Sequence, residues 1–189
     1  MNHIVVIYLE NRGCDNTYGD VAGATGLADA ASALPQIDSA GNAYDTLPQI
    51  AGQPYPTNLP NAPFDIALYV PPTVATGDLV HRFYREQVQI DGGKMDKFVQ
   101  ISDAKGLSMG YYQTSVLPME AEAAHYVVAD NFFHSAFGGS LLNHHFLIGA
   151  AAPTFPGAPG GWNDAIAGST AHERLRLLAN GELTLSSAR

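Results

Sequence analysis

Ile4-Val5-Val6-Ile7 is the feature that most narrows what this chain can fold into. Four β-branched residues without alternation make a strand that is apolar on both faces. Such strands belong inside a parallel sheet covered by helices on each side. In sheets of that kind, ligands bind just beyond the carboxyl ends of the strands. Glu10 and Asn11 fall at that edge. A carboxylate beside a carboxamide offers two hard oxygen donors to a divalent cation. The same pair also serves simply to close a strand in polar residues.

The chain has 189 residues, 46% of them apolar, enough for one domain with a sizeable core. Charged residues are 14% and the net charge is −9, which excludes a nucleic-acid footprint. It does not exclude phosphate chemistry, because a bound cation reverses the local potential. Cys14 is the single cysteine, so neither an internal disulfide nor a thiolate metal cluster is available. No apolar run reaches membrane-spanning length, and no signal-peptide pattern precedes Ile4.

Residues 20–76 are poor in charge and carry Pro35, Pro48, Pro54, Pro56, Pro60, Pro63, Pro71 and Pro72. No helical period survives there, so a long ordered excursion with short turns is expected. Tyr44, Tyr55, Phe64 and Tyr69 predict that it packs on a body. A helix is predicted from Asp78, as N-cap, to Val88, with Leu79, Val80, Phe83, Tyr84 and Val88 as its apolar stripe. Gly92-Gly93 end it, and Met95 to Val99 resume a short helical turn. Pro118 opens another helix, with Glu120 and Glu122 in its first turn, ending near His125. Val127-Val128-Ala129 reads as a second buried strand, followed by Asp130-Asn131. Leu141 to Ala151 is an apolar helix. This alternation predicts an α/β fold with a mainly parallel sheet flanked by helices.

Phe137-Gly-Gly-Ser140-Leu-Leu-Asn143-His144-His145 is the second informative segment. Two glycines allow a tight turn and a close approach to a ligand. Ser140 then falls at a helix start, where backbone N–H groups and the helix dipole favour an anion. A hydroxyl placed there can attack phosphorus while amides hold the phosphate oxygens. Asn143 and His144, at i+3 and i+4, share its helix face. The alternative is that Ser140 is only an N-cap. His81 and Arg85 also lie one helical turn apart, a spacing suited to phosphate binding, although His81 can equally be a half-buried polar residue on the helix flank.

Three blocks resemble the phosphoesterase family of bacterial and fungal acid phosphatases and bacterial phospholipases C, within the alkaline phosphatase superfamily. They are His3 to Gly19, Asp78-Leu-Val-His81 with Gly92-Gly-Lys-Met-Asp96, and Asp130 to Ile148. In the first, Gly13-Cys14 stand where the family usually has Ser-Phe. The resemblance implies an alkaline phosphatase-like sheet, a divalent metal held by Glu10, Asn11 and Ser140, and Ser140 as nucleophile through a phosphoserine. It also implies catalytic roles for His81 and His144 and a phosphate contact from Asn143, to which the spacing from His81 adds Arg85. The phospholipase C branch has a threonine nucleophile, so the serine here points to the acid phosphatase branch, acting on a small phosphorylated substrate. His134 and His145 are expected in supporting positions, His125 and His172 at the surface, and Trp162 in packing.

The family also has a downstream Asp-Asp pair. After Ser140 this chain has only Asp164, Glu173 and Glu182 as acidic residues, none in such a context. Residues 1–189 are therefore expected to be the N-terminal portion of one catalytic domain, with 20–76 as the excursion and 166–189 as an atypical tail. Three protein ligands make a weak cation site, so the chain by itself is expected to turn over slowly or not at all. A phospholipase C-type phosphodiesterase and a non-catalytic fragment that keeps the fold are the competing expectations.

Overall fold

A hydrophobic cluster of Leu47, Tyr55, Leu59, Phe64, Ile66, Val70, Val99, Ala104, Leu107 and Tyr112 organises the protein. The computed structural model describes residues 3–8, 10, 12–77, 79, 83–151, 174–177 and 183–186. More than half of that cluster comes from the Pro-rich stretch, which is an integral wall of the core. Tyr55, Phe64 and Tyr69 pack as a trio with ring centroids 5.8–6.4 Å apart, and Tyr44 lies against the cluster.

A stretch with so many prolines cannot satisfy its backbone by a ladder, so side chains do it. Buried Gln36 donates from Nε2 to the carbonyl of Met95 (2.8 Å) and accepts at Oε1 from the N–H of Val99 (3.2 Å). Asn61 accepts at Oδ1 from Gln36 N–H and donates from Nδ2 to the carbonyls of Gln36 and Tyr44. The Gly92 to Asp96 block is thus bound to the excursion through its main chain. Gly92 and Gly93 take positive φ, and Asp91 pairs with Lys94 and Lys97 at 3.3 and 2.8 Å.

The elements are short. Helix α1 is Cys14–Thr17, strand β1 Phe64–Asp65, α2 Phe83–Ile90, α3 Phe98–Ile101, β2 Gly110–Tyr111, α4 Glu120–Ala123 and α5 Ser140–Gly149. Strands β1 and β2 pair in parallel, Phe64 opposite Gly110 and Asp65 opposite Tyr111. A second pair, β3 (Arg174–Leu177) and β4 (Leu183–Ser186), is an antiparallel hairpin inside the predicted tail. The fold therefore has α/β character with a small parallel pair. Gly110 is required for it, because a Cβ there would come within 2.3 Å of Ile66 Cγ2.

Two expectations are corrected. Ile4 to Ile7 are not a buried strand: they pair in no sheet and are 67–84% exposed. Val127 to Ala129 are not a strand either, and Val127 is 93% exposed. Composition sets the kind of segment, but burial needs neighbouring strands, and among the described residues none flanks these two. The parallel pair forms instead at Phe64 and Gly110, where core side chains meet. The helix predicted from Asp78 is described from Phe83; Asp78 and Val80 lie outside the described residues, as do Trp162 and His172.

Candidate active site

The segment that ends in Glu10 is fastened to the core through Arg12, α1 and Asp20. Asn16 on α1 donates from Nδ2 to the carbonyl of Gly110 (2.8 Å) and accepts at its own carbonyl from Tyr112 N–H (2.8 Å). Thr114 binds the Asp20 carboxylate and the Thr17 carbonyl. Arg12 donates to Thr76 Oγ1 (3.0 Å), and its guanidinium lies over the Tyr112 ring, 5.1 Å from the centroid. Glu10 is thereby set two residues from an anchor on the core.

From the other side comes α5. Gly139 is its N-cap and Ser140 its first helical residue, so the cap position is taken by glycine rather than by the serine. Gly138 has φ 144°, a backbone conformation that side chains rarely adopt, which accounts for a glycine there. His144, one turn on, places Nε2 3.4 Å from Glu10 Oε2. Tyr8 completes the group: its ring meets that of His144 edge-on at 5.0 Å, and its hydroxyl lies 3.0 Å from His134 Nε2. Two blocks more than a hundred residues apart in sequence are thus brought together at Glu10 and His144.

Asn143 is turned elsewhere. Its side chain is 4% exposed. Oδ1 accepts from Ala136 N–H (3.2 Å), and Nδ2 donates to the carbonyls of Ala136, Gly138 and Gly139 at 3.0–3.3 Å. It clamps the loop that delivers Ser140. Asn143→Ala is expected to destabilise the protein by about 1–3 kcal/mol, the cost of stranding buried backbone groups. Asn143→Asp should cost more, because it sets a carboxylate against loop carbonyls; denaturant titration of both variants reads the difference.

Arg85 sits half-buried on α2, which packs against α3. Asn11 and His81 lie outside the described residues. His125 and His145 are exposed. Among the described residues, no group of three His, Cys, Asp or Glu side chains is arranged to hold a metal. The donors that do stand together are the Glu10 carboxylate and the His144 imidazole, a pair compatible with a divalent transition ion. Burial, then Asp15 and Asp130, push the Cys14 thiol pKa up, which disfavours its thiolate.

Tyr8 is the residue that sequence reasoning missed. Its signal was its place two residues before Glu10, on the same side of an extended segment. The Asp130-Asn131 dipeptide has a different use from any at the sheet edge. Asp130 accepts from Thr25 N–H at 2.6 Å, and this bond above all pulls its carboxyl below the ordinary value. A depressed folded pKa stabilises above the unfolded value and is lost as pH falls through the folded one. The Thr25 amide resonance is therefore expected to titrate with a midpoint below the ordinary aspartate value, as an NMR pH series would show.

Glu10 thus stands beside His144 on a glycine-led helix that also carries Ser140. A family model for the phosphoesterase family matches residues 1–177. The chain belongs to that family, whose members hydrolyse phosphoester bonds. No curated protein and no solved structure matches it. No described helix is long and apolar enough to cross a membrane.

Proposed function

We propose that the chain carries the nucleophile side of a metal-assisted phosphomonoesterase of acid phosphatase type, acting on a small phosphorylated substrate. The observation that carries this is the Glu10–His144 contact one helical turn from Ser140. Ser140 gives up its hydroxyl proton to solvent, Oγ attacks phosphorus in line, the bond to the leaving alcohol breaks, and a phosphoserine forms. The amide groups of the first turn of α5 face the transferred phosphoryl oxygens. His144 supplies a proton to the leaving oxygen, and His81 and Arg85 contact the phosphate. Water then cleaves the phosphoserine. Asn143 acts on this reaction by holding the loop before Ser140, with any phosphate contact of its own secondary.

Glu10, Asn11 and Ser140 would hold a divalent ion, whose charge would lower the hydroxyl pKa and draw a phosphate oxygen. An alkaline phosphatase-like sheet within one catalytic domain is the fold this reading requires. Titration with Mn2+ or Zn2+ is expected to saturate only at high metal concentration, and Glu10→Gln should weaken binding further. Tight binding unaffected by Glu10→Gln would place the ion elsewhere. Aryl phosphate hydrolysis at saturating metal tests the activity; a rate that survives both Glu10→Gln and Ser140→Ala would refute the assignment.

A further inference from the structure

A cleft of about 620 Å³ opens beside Glu10, within the about 300–1,000 Å³ of small-molecule sites. Its walls are mainly apolar: Leu117, Pro118, Met119, Ala123, Tyr126 and Val127. Glu10, Arg12 and Glu122 are the charged residues lining it. Arg12 is engaged by Thr76 and the Tyr112 ring, and Glu10 by His144; Glu122 is the remaining charged residue of the wall. Glu10 belongs both to this wall and to the His144 contact. Glu10 thus joins the cleft to the helix that carries Ser140.

We infer that this cleft receives the alcohol portion of the substrate and selects phosphate monoesters of uncharged, apolar alcohols, aryl or short alkyl. The inference rests on the phosphatase reading for the position of the phosphate, but the cleft's taste for an apolar ring does not. Apolar walls favour such a ring by removing its surface from water. Glu122 disfavours an alcohol part with a second negative charge, such as a sugar bisphosphate. Esters of polyols gain less there, because they bring little apolar surface to bury against Leu117 and Met119.

The test separates the two readings by using a ligand without phosphate. The full chain, with methyl-labelled methionine and alanine, is titrated with 1-naphthol, 1-naphthyl phosphate and glycerol phosphate and followed by NMR. Both naphthyl compounds should shift the Met119 and Ala123 methyl signals, and glycerol phosphate should not. Met119→Asp, at a half-exposed rim position, should weaken naphthol binding by about tenfold or more while the amide spectrum shows an intact fold. Ser140→Ala should leave naphthol binding unchanged. Naphthol binding with these features but no phosphoserine from naphthyl phosphate would fell the phosphatase reading and keep the cleft. Naphthol shifts that avoid Met119 and Ala123, or that are indifferent to Met119→Asp, would overturn the inference even if Ser140 is phosphorylated.

Discussion

Ser140→Ala is expected to remove at least several orders of magnitude from phosphoryl transfer, measured as the single-turnover rate with an aryl phosphate and saturating divalent metal. The size reflects the loss of the attacking atom. Covalent catalysis without it leaves only binding and electrostatic positioning. The variant should fold, because Gly139 and not Ser140 occupies the N-cap of α5 and Asn143 still clamps the preceding loop. A folded variant, seen as a cooperative melting transition, with a collapsed rate is the combined signature. Near-normal transfer would reduce Ser140 to an ordinary first-turn residue.

The second large effect is on stability. Ile66 and Leu47 are fully buried at the centre of the cluster. Ile66 also packs where β1 and β2 meet, close against Gly110. Ile66→Ala should cost about 2–5 kcal/mol, the lost transfer energy plus the cavity it leaves. A domain stable by about 5–15 kcal/mol is left marginal by such a loss. Gly110→Val should be comparably damaging for the opposite reason, since the added side chain has no room against Ile66. Denaturant midpoints measure both. A shift below about 1 kcal/mol for Ile66→Ala would mean the cluster is not the organising core.

Some of this organisation was readable in the residues. The glycine pair before Ser140 announced the start of α5, and the i+4 spacing put His144 one turn beyond it. The contact between Glu10 and His144 was not readable. That residues 20–76 pack on a body was readable from Tyr44, Tyr55, Phe64 and Tyr69; that they supply most of the core was not. Pro-rich residues 20–76 have no period, and their order comes from single long-range bonds such as those of Gln36 and Asn61, which leave no local pattern. Ile4 to Ile7 misled because an apolar run specifies a strand only when its neighbours are present. Asn143 shows a subtler limit. Side chains on a helix lean toward its N-terminus, so an asparagine in this first stretch of α5 reaches back to the Gly138 and Gly139 carbonyls. Spacing alone placed it on the face of Ser140 but could not distinguish a phosphate contact from a loop clamp.

The central claim is the covalent role of Ser140, and one measurement addresses it most directly. The protein is incubated with 1-naphthyl phosphate and Mn2+ or Zn2+, quenched in acid, digested and analysed by mass spectrometry. Slow turnover does not hide the result, because one transfer per molecule is enough. The account predicts a phosphoryl group on Ser140, absent without metal and absent from the Ser140→Ala protein. Naphthol release with no phosphorylated Ser140 peptide, continuing undiminished in Ser140→Ala, would contradict it.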